Sequence, residues 1–272
     1  MIKEIYSLDG YMDYIEEFRK DEAFSDPHMA YNEDNLFGAF NSSYDRVFAV
    51  REDDRITGLF VWKIEAEERY IEMIIGMSKE ESAYMEMIEF VEEGHPGFQM
   101  DYVFNPKNYV LKKVLEKKNA SIDPEQMKLE LKKQVPHEVK HTIQLLSKEY
   151  EEQYKALHND EGRYWTAEKV LAATDMFRVF LALDGNEVVG YLDITYSYEE
   201  NEPYDMFIKQ GFEYMGYEQD LLAEAIKRNG KNRMMVLIDV ENTKEIEIYS
   251  AVGFEPSDDP NSRYATYHIP ET

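Results

Sequence analysis

Tyr249 is the side chain whose setting most invites chemistry. It is a phenol near the middle of the stretch Asn242-Thr-Lys-Glu-Ile-Glu-Ile-Tyr-Ser-Ala-Val-Gly-Phe254. Three carboxylates, Asp193, Glu202 and Asp205, lie on or beside short apolar runs upstream of it. A phenol and a carboxylate can give and take protons when held against a reacting group. Each can equally be ordinary, Tyr249 a core tyrosine and the carboxylates solvated surface groups. Other chemistries are missing. Cysteine is absent, which removes disulfides, thiolate nucleophiles and thiolate metal sites. There is no Walker loop, no Gly-x-Gly-x-x-Gly and no Gly-x-Ser-x-Gly elbow. His137 and His141 are four apart but flank the start of a predicted strand, so they share no helix face, and no metal is expected.

The elements that must position Tyr249 are legible around it. Arg233-Met-Met-Val-Leu-Ile-Asp239 reads as a buried strand. Asn242 can cap a helix, and Glu245 three residues on completes a capping box. Ile246, Tyr249 and Val252 recur on one helical face, and Gly253 is placed to end the helix in a left-handed conformation while Phe254 packs back.

The rest of the chain reads as two passes through one order of elements. In the first, Ile2 to Ser7 is strand-like, Asp9 can cap a helix to Asp21, and a second helix is expected over Asn32 to Phe40. Arg46 to Ile64 is strand, acidic turn, strand, and Tyr70 to Met77 a further strand. Lys79 to Glu93 carries a helical apolar face and is broken by Gly94 and Pro96. A strand over Phe98 to Phe104, a helix over Tyr109 to Lys118 and a strand over Gln126 to Lys133 close the first half. The second half gives a strand at Val139 to Leu145, a helix capped by Ser147, a short helix at Thr166 to Ala173, and a hairpin over Arg178 to Leu192. A strand at Tyr204 to Ile208, a helix at Tyr217 to Arg228, the strand and helix around Tyr249, and a strand at Tyr264 to Ile269 follow. Arg46-Val-Phe aligns with Arg178-Val-Phe at an offset of 132 (178 − 46), and Asn108 with Asn242 at 134 (242 − 108). This is an internal repeat, with domains expected at 1–135 and 136–272 and a boundary near residues 134–136.

Bulk composition narrows the partners. A chain of 272 residues with 43% hydrophobic content can fill one large core or two ordinary ones. A net charge of −26 repels nucleic acid and anionic lipid and attracts cationic ligands such as amines, or serves solubility alone. Neither a signal peptide nor an apolar span is visible, so a cytoplasmic protein, off the membrane, is expected.

The second half resembles the GNAT superfamily of acyl-coenzyme-A-dependent N-acyltransferases. The resemblance rests on Asn242…Tyr249-Ser-Ala-Val-Gly253-Phe254, on the hairpin ending Val188-Val-Gly190-Tyr, and on the order of elements across residues 139–269. The first half fits the same order more faintly, with Leu115 in place of the tyrosine. The fold class implied is α/β, two tandem GNAT-like domains, each a mixed, mainly antiparallel sheet flanked by helices, the first degenerate. The family's phosphate loop falls on Glu213-Tyr-Met-Gly216-Tyr-Glu218, where only Gly216 keeps the pattern. Backbone N–H groups at such a helix start hold a pyrophosphate, and a Glu there helps cap an empty helix but opposes a phosphate.

What the resemblance implies is acetyl transfer from acetyl-CoA to a primary amine of a small molecule or peptide. Tyr249 matches the general-acid position, and Asp205 is the first choice of base, with Asp193 and Glu202 as alternatives. Acetyl-CoA would contact the backbone from Phe207 to Lys209, the loop at Met215, Gly216 and Tyr217, and Asn242. Lys209 and Lys244 could offset phosphate charge. The acceptor would meet the segment His158 to Thr166, where Tyr164 and Trp165 with Asp160 and Glu161 could hold a cationic amine. The alternative is a GNAT-shaped binding or regulatory module without catalysis. A Fem-type aminoacyl ligase, also built from two such halves, would have to hold transfer RNA, which the acidity opposes.

Overall fold

The computed structural model of the protein describes residues 1–161 and 164–271. The first half runs β1 (Ile2–Glu4), α1 (Met12–Arg19), α2 (Pro27–Tyr31), α3 (Asp34–Phe37), β2 (Asp45–Glu52), β3 (Arg55–Glu65), β4 (Tyr70–Met77), α4 (Glu81–Gly94), β5 (Gln99–Phe104), α5 (Tyr109–Lys117), β6 (Ser121–Ile122) and β7 (Gln126–Leu131). The second runs β8 (Thr142–Leu145), α6 (Glu151–Leu157), α7 (Ala167–Ala172), β9 (Phe177–Asp184), β10 (Glu187–Thr195), β11 (Glu200–Asn201), β12 (Pro203–Ile208), α8 (Tyr217–Asn229), β13 (Arg233–Asp239), α9 (Thr243–Ala251), β14 (Phe254–Pro256) and β15 (Arg263–His268). Among the described residues no helix is long and apolar enough to cross a membrane.

Each pass through the repeat starts from a hairpin whose geometry is local. The β2–β3 turn places Asp53 at φ 51°, and the β9–β10 turn places Gly185, its repeat counterpart, at φ 60°. A left-handed residue at the first turn position matches the twist of the flanking strands. Both hairpins then carry a one-residue bulge, between Val50 and Arg51 in the first and between Val188 and Gly190 in the second. Two helices begin where the sequence did not place them. Asp26 caps α2, its carboxylate accepting from the N–H groups of His28 and Met29, with Pro27 at the first position. The expected helix over 32–40 is broken into α3 and a 3-10 turn at Ala39–Asn41, and Asn32 ends α2 before them. Asp9 is not a cap, since α1 begins at Met12 behind Tyr11.

The chain forms two compact units, and they do not divide at 135/136. One unit is Met1–Met127 with Asp258–Thr272, the other Lys128–Ser257. The cause is an exchange of strands. The first unit is a seven-stranded sheet of order β1-β2-β3-β4-β5-β15-β6, in which β15, from the second half of the sequence, pairs antiparallel with β5 and β6. The second unit has one sheet of order β12-β10-β9-β8 and another of order β11-β13-β7-β14, with β7 from the first half. Gly253 makes the second exchange possible. It stands at φ 109° and a Cβ there would lie 1.8 Å from the carbonyl oxygen of Lys133.

The first unit buries both faces of its sheet. Alternate residues of β3 point to opposite sides. Phe60 and Trp62 join Tyr84, Tyr102 and Leu111 under α4 and α5, and Leu59 and Val61 join Ile15, Phe18 and Leu36 under α1 and α3. In the second unit Tyr150 and Tyr154 pack with Val179, Leu181 and Tyr191 on the face that α6 and α7 cover.

Candidate active site

Two parallel strands part company in the second unit. Glu200 and Asn201 pair with Arg233 and Met234, so β11 runs parallel to β13. From Pro203 the chain pairs instead with β10, antiparallel, through Gly190↔Ile208, Leu192↔Met206 and Asp193↔Asp205. The change of partner falls at a bulge, where Tyr204 is passed over between Asp193↔Asp205 and Ile194↔Pro203. Bulges kink a strand and gather beside functional sites. Asn201, fully buried, pins the fork by donating to the side-chain oxygen of Asn229 at 2.8 Å and accepting from the Tyr198 N–H at 3.1 Å.

The register fixes which backbone groups face the opening. Lys209 N–H donates to the Val189 carbonyl at 2.8 Å. Antiparallel pairing alternates, so Phe207 also turns its N–H to β10, while Met206 and Ile208 turn theirs away, toward the opening. Of the expected donor-contacting run 207–209, then, Ile208 and its neighbour Met206 present free edges, and Phe207 and Lys209 do not. The Lys209 ammonium is paired with Glu187. Gly190 lets this edge come close, because a Cβ there would lie 2.8 Å from the Phe207 carbonyl oxygen.

Tyr249 lies on the helix that follows β13. Asn242 caps α9 as expected, accepting from the Glu245 N–H at 3.3 Å, and its own amide donates to the Glu245 carboxylate at 2.7 Å. Tyr249 is buried, with its ring edge-on to Phe254 at 5.2 Å. Burial pushes the phenol well above its ordinary range, and the nearby charges of Glu245, Glu202 and Asp205 push the same way. Glu202, half-buried at the fork, is pushed up to about 7 by burial and by the charge of Glu200.

Asp205 is engaged elsewhere. Its Oδ2 accepts from the Tyr191 hydroxyl at 2.7 Å and lies 3.7 Å from His158 Nε2. His158 ends α6, and its Nε2 is 3.2 Å from Asp193 Oδ2 while Nδ1 is 2.6 Å from Asp160 Oδ1. The Tyr154 hydroxyl donates to Asp193 Oδ2 at 2.8 Å. Burial works against charge on His158, but hydrogen bonds and charge from Asp193, Asp160 and Asp205 outweigh it and raise the imidazole. Asp193 is raised by burial despite His158 and Tyr154. Among the described residues, His158, Asp193 and Asp205 bring ligand atoms within 4.8 Å of one another, a set able to hold a metal ion. Sequence reasoning missed it because the three come from separate elements. The available signal was Asp193, a lone carboxylate in the apolar run Val188-Val-Gly-Tyr-Leu-Asp-Ile194.

The expected phosphate loop is folded around a carboxylate. Gly216, at φ 97°, precedes α8 with no side-chain cap. Glu218 is buried, its Oε1 accepts from the Tyr214 N–H at 3.1 Å, and its Oε2 is buried without a partner among the described residues. Met215 is exposed, and Tyr217 is buried with its ring stacked on His141 at 3.7 Å. Asp220, one turn on, accepts from His137 at 2.5 Å, from His141 Nδ1 at 2.7 Å, and from the N–H groups of Lys140 and His141 at 2.9 Å. Burial opposes its charge, but these bonds prevail and hold the carboxyl below its ordinary value. Lys244 stands over the Tyr214 ring at 4.8 Å, at a cleft of about 320 Å³ between the loop and α9.

In the expected acceptor segment the Tyr164 and Trp165 rings meet edge-on at 5.4 Å, with other partners already in place. The Lys169 ammonium already covers the Tyr164 ring at 3.8 Å, and Trp165 packs edge-on against Phe177 at 4.9 Å. Asp160 accepts from His158 and from the Ala167 N–H. Gly162 and Arg163 of that segment lie outside the described residues.

The first unit shows the same fork sealed. β4 pairs parallel with β5 from Tyr70↔Gln99 to Met73↔Tyr102 and no further, and Ile74 is bulged as Tyr204 is. Gly76 then holds the place of Met206. Its N–H donates to Asp26 Oδ2 at 3.0 Å, and its carbonyl accepts from the Tyr84 hydroxyl at 2.7 Å. Asn108 caps α5 and also donates to Tyr84, while Leu115 stands where the second unit has Tyr249.

No protein-family model matches the sequence, and no curated protein matches it either. Solved structures do. A GCN5-related N-acetyltransferase from Sphaerobacter thermophilus is similar at TM-score 0.60 and 11% identity, over 85% of this chain and 82% of that one. A functionally unknown protein from Staphylococcus epidermidis is similar at TM-score 0.59 and 13% identity, over 81% and 94%. A tandem GNAT protein from the clavulanic acid biosynthesis pathway is similar at TM-score 0.50 and 10% identity, over 100% and 99%. The chain has a tandem GNAT-like fold, mixed α/β with mainly antiparallel sheets flanked by helices.

Proposed function

We propose that the second unit uses this fold to transfer an acetyl group from acetyl-CoA to a primary amine of a small molecule or peptide. The observation that carries the reading is the parting of β12 from β13 after Asn201, which turns the N–H groups of Met206 and Ile208 away from β10. Such donors can pair with the extended arm of a thioester and polarise its carbonyl. Glu202 is the preferred base in place of Asp205. Held at about 7, it is poised to take the amine proton, whereas Asp205 is bound to Tyr191 and faces His158.

The amine nitrogen attacks the carbonyl carbon, and the C–S bond breaks as the amide forms. Glu202 takes the proton lost by nitrogen. Tyr249 stays protonated because burial and three carboxylates oppose the phenolate. It is a weaker acid than the thiol it faces, since an ordinary thiol lies near ~8.5. Its contribution is therefore a hydrogen bond to the departing sulfur, which leaves as a thiolate, its charge balanced by the proton gained at Glu202. Acidic surroundings and the net charge of −26 suit a cationic acceptor, which must lose its proton to react.

A second reading, a GNAT-shaped binding or regulatory module without catalysis, is favoured by Glu218. Its carboxylate takes the Tyr214 N–H of the loop expected to hold the coenzyme's pyrophosphate, and its charge opposes a phosphate there. Titration calorimetry with acetyl-CoA on the wild-type protein and on Glu218→Ala separates the two. Binding by the wild type, tightened about tenfold in the variant, supports transfer. No heat from either protein at millimolar ligand overturns it and leaves the binding module.

A further inference from the structure

We propose that His158, Asp193 and Asp205 form a buried site for one divalent transition-metal ion, zinc being the first candidate. The ligand spacing fits. Zinc sits about 2.0–2.2 Å from imidazole nitrogen and carboxylate oxygen, which places tetrahedral neighbours about 3.4 Å apart. Nε2 of His158 is 3.2 Å from Asp193 Oδ2 and 3.7 Å from Asp205 Oδ2, on either side of that edge length.

The surroundings are those of a metal site. Asp160 takes the other ring nitrogen, Nδ1, at 2.6 Å, the carboxylate–imidazole pairing that turns Nε2 toward an ion. The hydroxyl of Tyr154 orients Asp193 and that of Tyr191 orients Asp205, at 2.8 and 2.7 Å. His158 and Asp193 are buried, and Asp160 meets the imidazole from the exposed side.

A second observation points to a cation. With the ring proton on Nδ1, the Nε2 lone pair faces two carboxylate oxygens, an arrangement that repels. A proton on Nε2 relieves this but leaves Asp193 Oδ1, which is buried with no hydrogen-bond partner. An ion held by both oxygens of Asp193, by Asp205 and by Nε2 answers both faults. The site joins the end of α6 to β10 and β12, so the ion would brace the strand that carries the fork. It does not depend on acyl transfer.

The test uses the full chain stripped with a chelator, then dialysed against Zn²⁺ and assayed by elemental analysis, with melting followed in parallel. One equivalent is expected to remain, and Zn²⁺ is expected to raise the melting temperature by about 5 °C. Asp193→Asn should lose that equivalent. Asp160→Ala, which leaves all three ligands in place, should weaken it about 10–100-fold. Failure to retain Zn²⁺ at 100-fold molar excess, with an imidazolium at His158 by nitrogen NMR, overturns the proposal and leaves a buried cationic histidine. An equivalent of Zn²⁺ that survives Asp193→Asn overturns it too, since the ion then lies on the acidic surface.

Discussion

Asp26 accepts a hydrogen bond from the backbone N–H of Gly76 at 3.0 Å, and so occupies in the first unit the group that Met206 leaves turned away from β10 in the second. The carbonyl of Gly76 is taken as well, by Tyr84. A strand edge with both groups satisfied offers nothing to a ligand that binds by strand pairing.

Donor binding should therefore show one site per chain. Calorimetry giving two equivalent sites for acetyl-CoA would contradict this. Asp26→Ala should not add a site but should destabilise the fold by about 2–4 kcal/mol, because it strands the N–H groups of His28, Met29 and Gly76. Denaturant unfolding measures that loss.

Glu202 predicts a pH dependence of known sign. Its folded value, about 7, lies above its ordinary one, so folding disfavours the charged form. The penalty is absent below the unfolded value, grows as pH rises through it, and is complete above about 7. Glu202→Gln should be about 1–3 kcal/mol more stable than wild type at pH 8 and no different at pH 4. Wild-type kcat/KM should rise through pH 7 as the base is freed, and the variant should lose that limb along with most of its activity.

Tyr249→Phe tests the phenol without disturbing the core. Among the described residues its hydroxyl has no hydrogen-bond partner, so stability should change by less than about 1 kcal/mol. Turnover should fall about 10–100-fold with donor affinity kept within about twofold. Single-turnover kinetics alongside calorimetry distinguish this from plain core packing, which would leave turnover unchanged.

Gly253→Ala should be among the costliest single changes. The new methyl would meet the Lys133 carbonyl at 1.8 Å, at a positive φ of 109°. A loss of about 3 kcal/mol or more is expected, with a melting temperature lower by about 6 °C or more. The same change should loosen Phe254 and with it the edge-on ring of Tyr249.

The helices around these residues were readable because their signals are local. Asn242 caps α9 and Gly253 stops it left-handed, both at the predicted residues, and Asn108, its counterpart in the repeat, caps α5. The hairpins repeat with their bulges at the same place. What sequence could not give is pairing at long range. Gln126–Leu131 and Arg263–His268 read as strands whichever sheet they enter, so the exchange and the true unit limits stayed hidden. The Asp26-Pro27 start of α2 was legible and was missed. The role of Asp26 at Gly76 was not, because the two are 50 residues apart. His158 likewise gains its meaning only from Asp193 and Asp205 on other strands.

The exchange of strands also sets a timetable for synthesis. The first unit is closed at β5 by β15, which a ribosome makes only after all of Lys128–Ser257. At ordinary elongation rates of about 5–20 residues per second, the edge from Gln99 to Phe104 waits roughly 8–30 s for its partner. During that interval it is an unpaired edge that β15 of another nascent chain could fill. Domain-swapped pairs should therefore be the characteristic misassembly of this protein, and they should become more frequent as polysomes crowd.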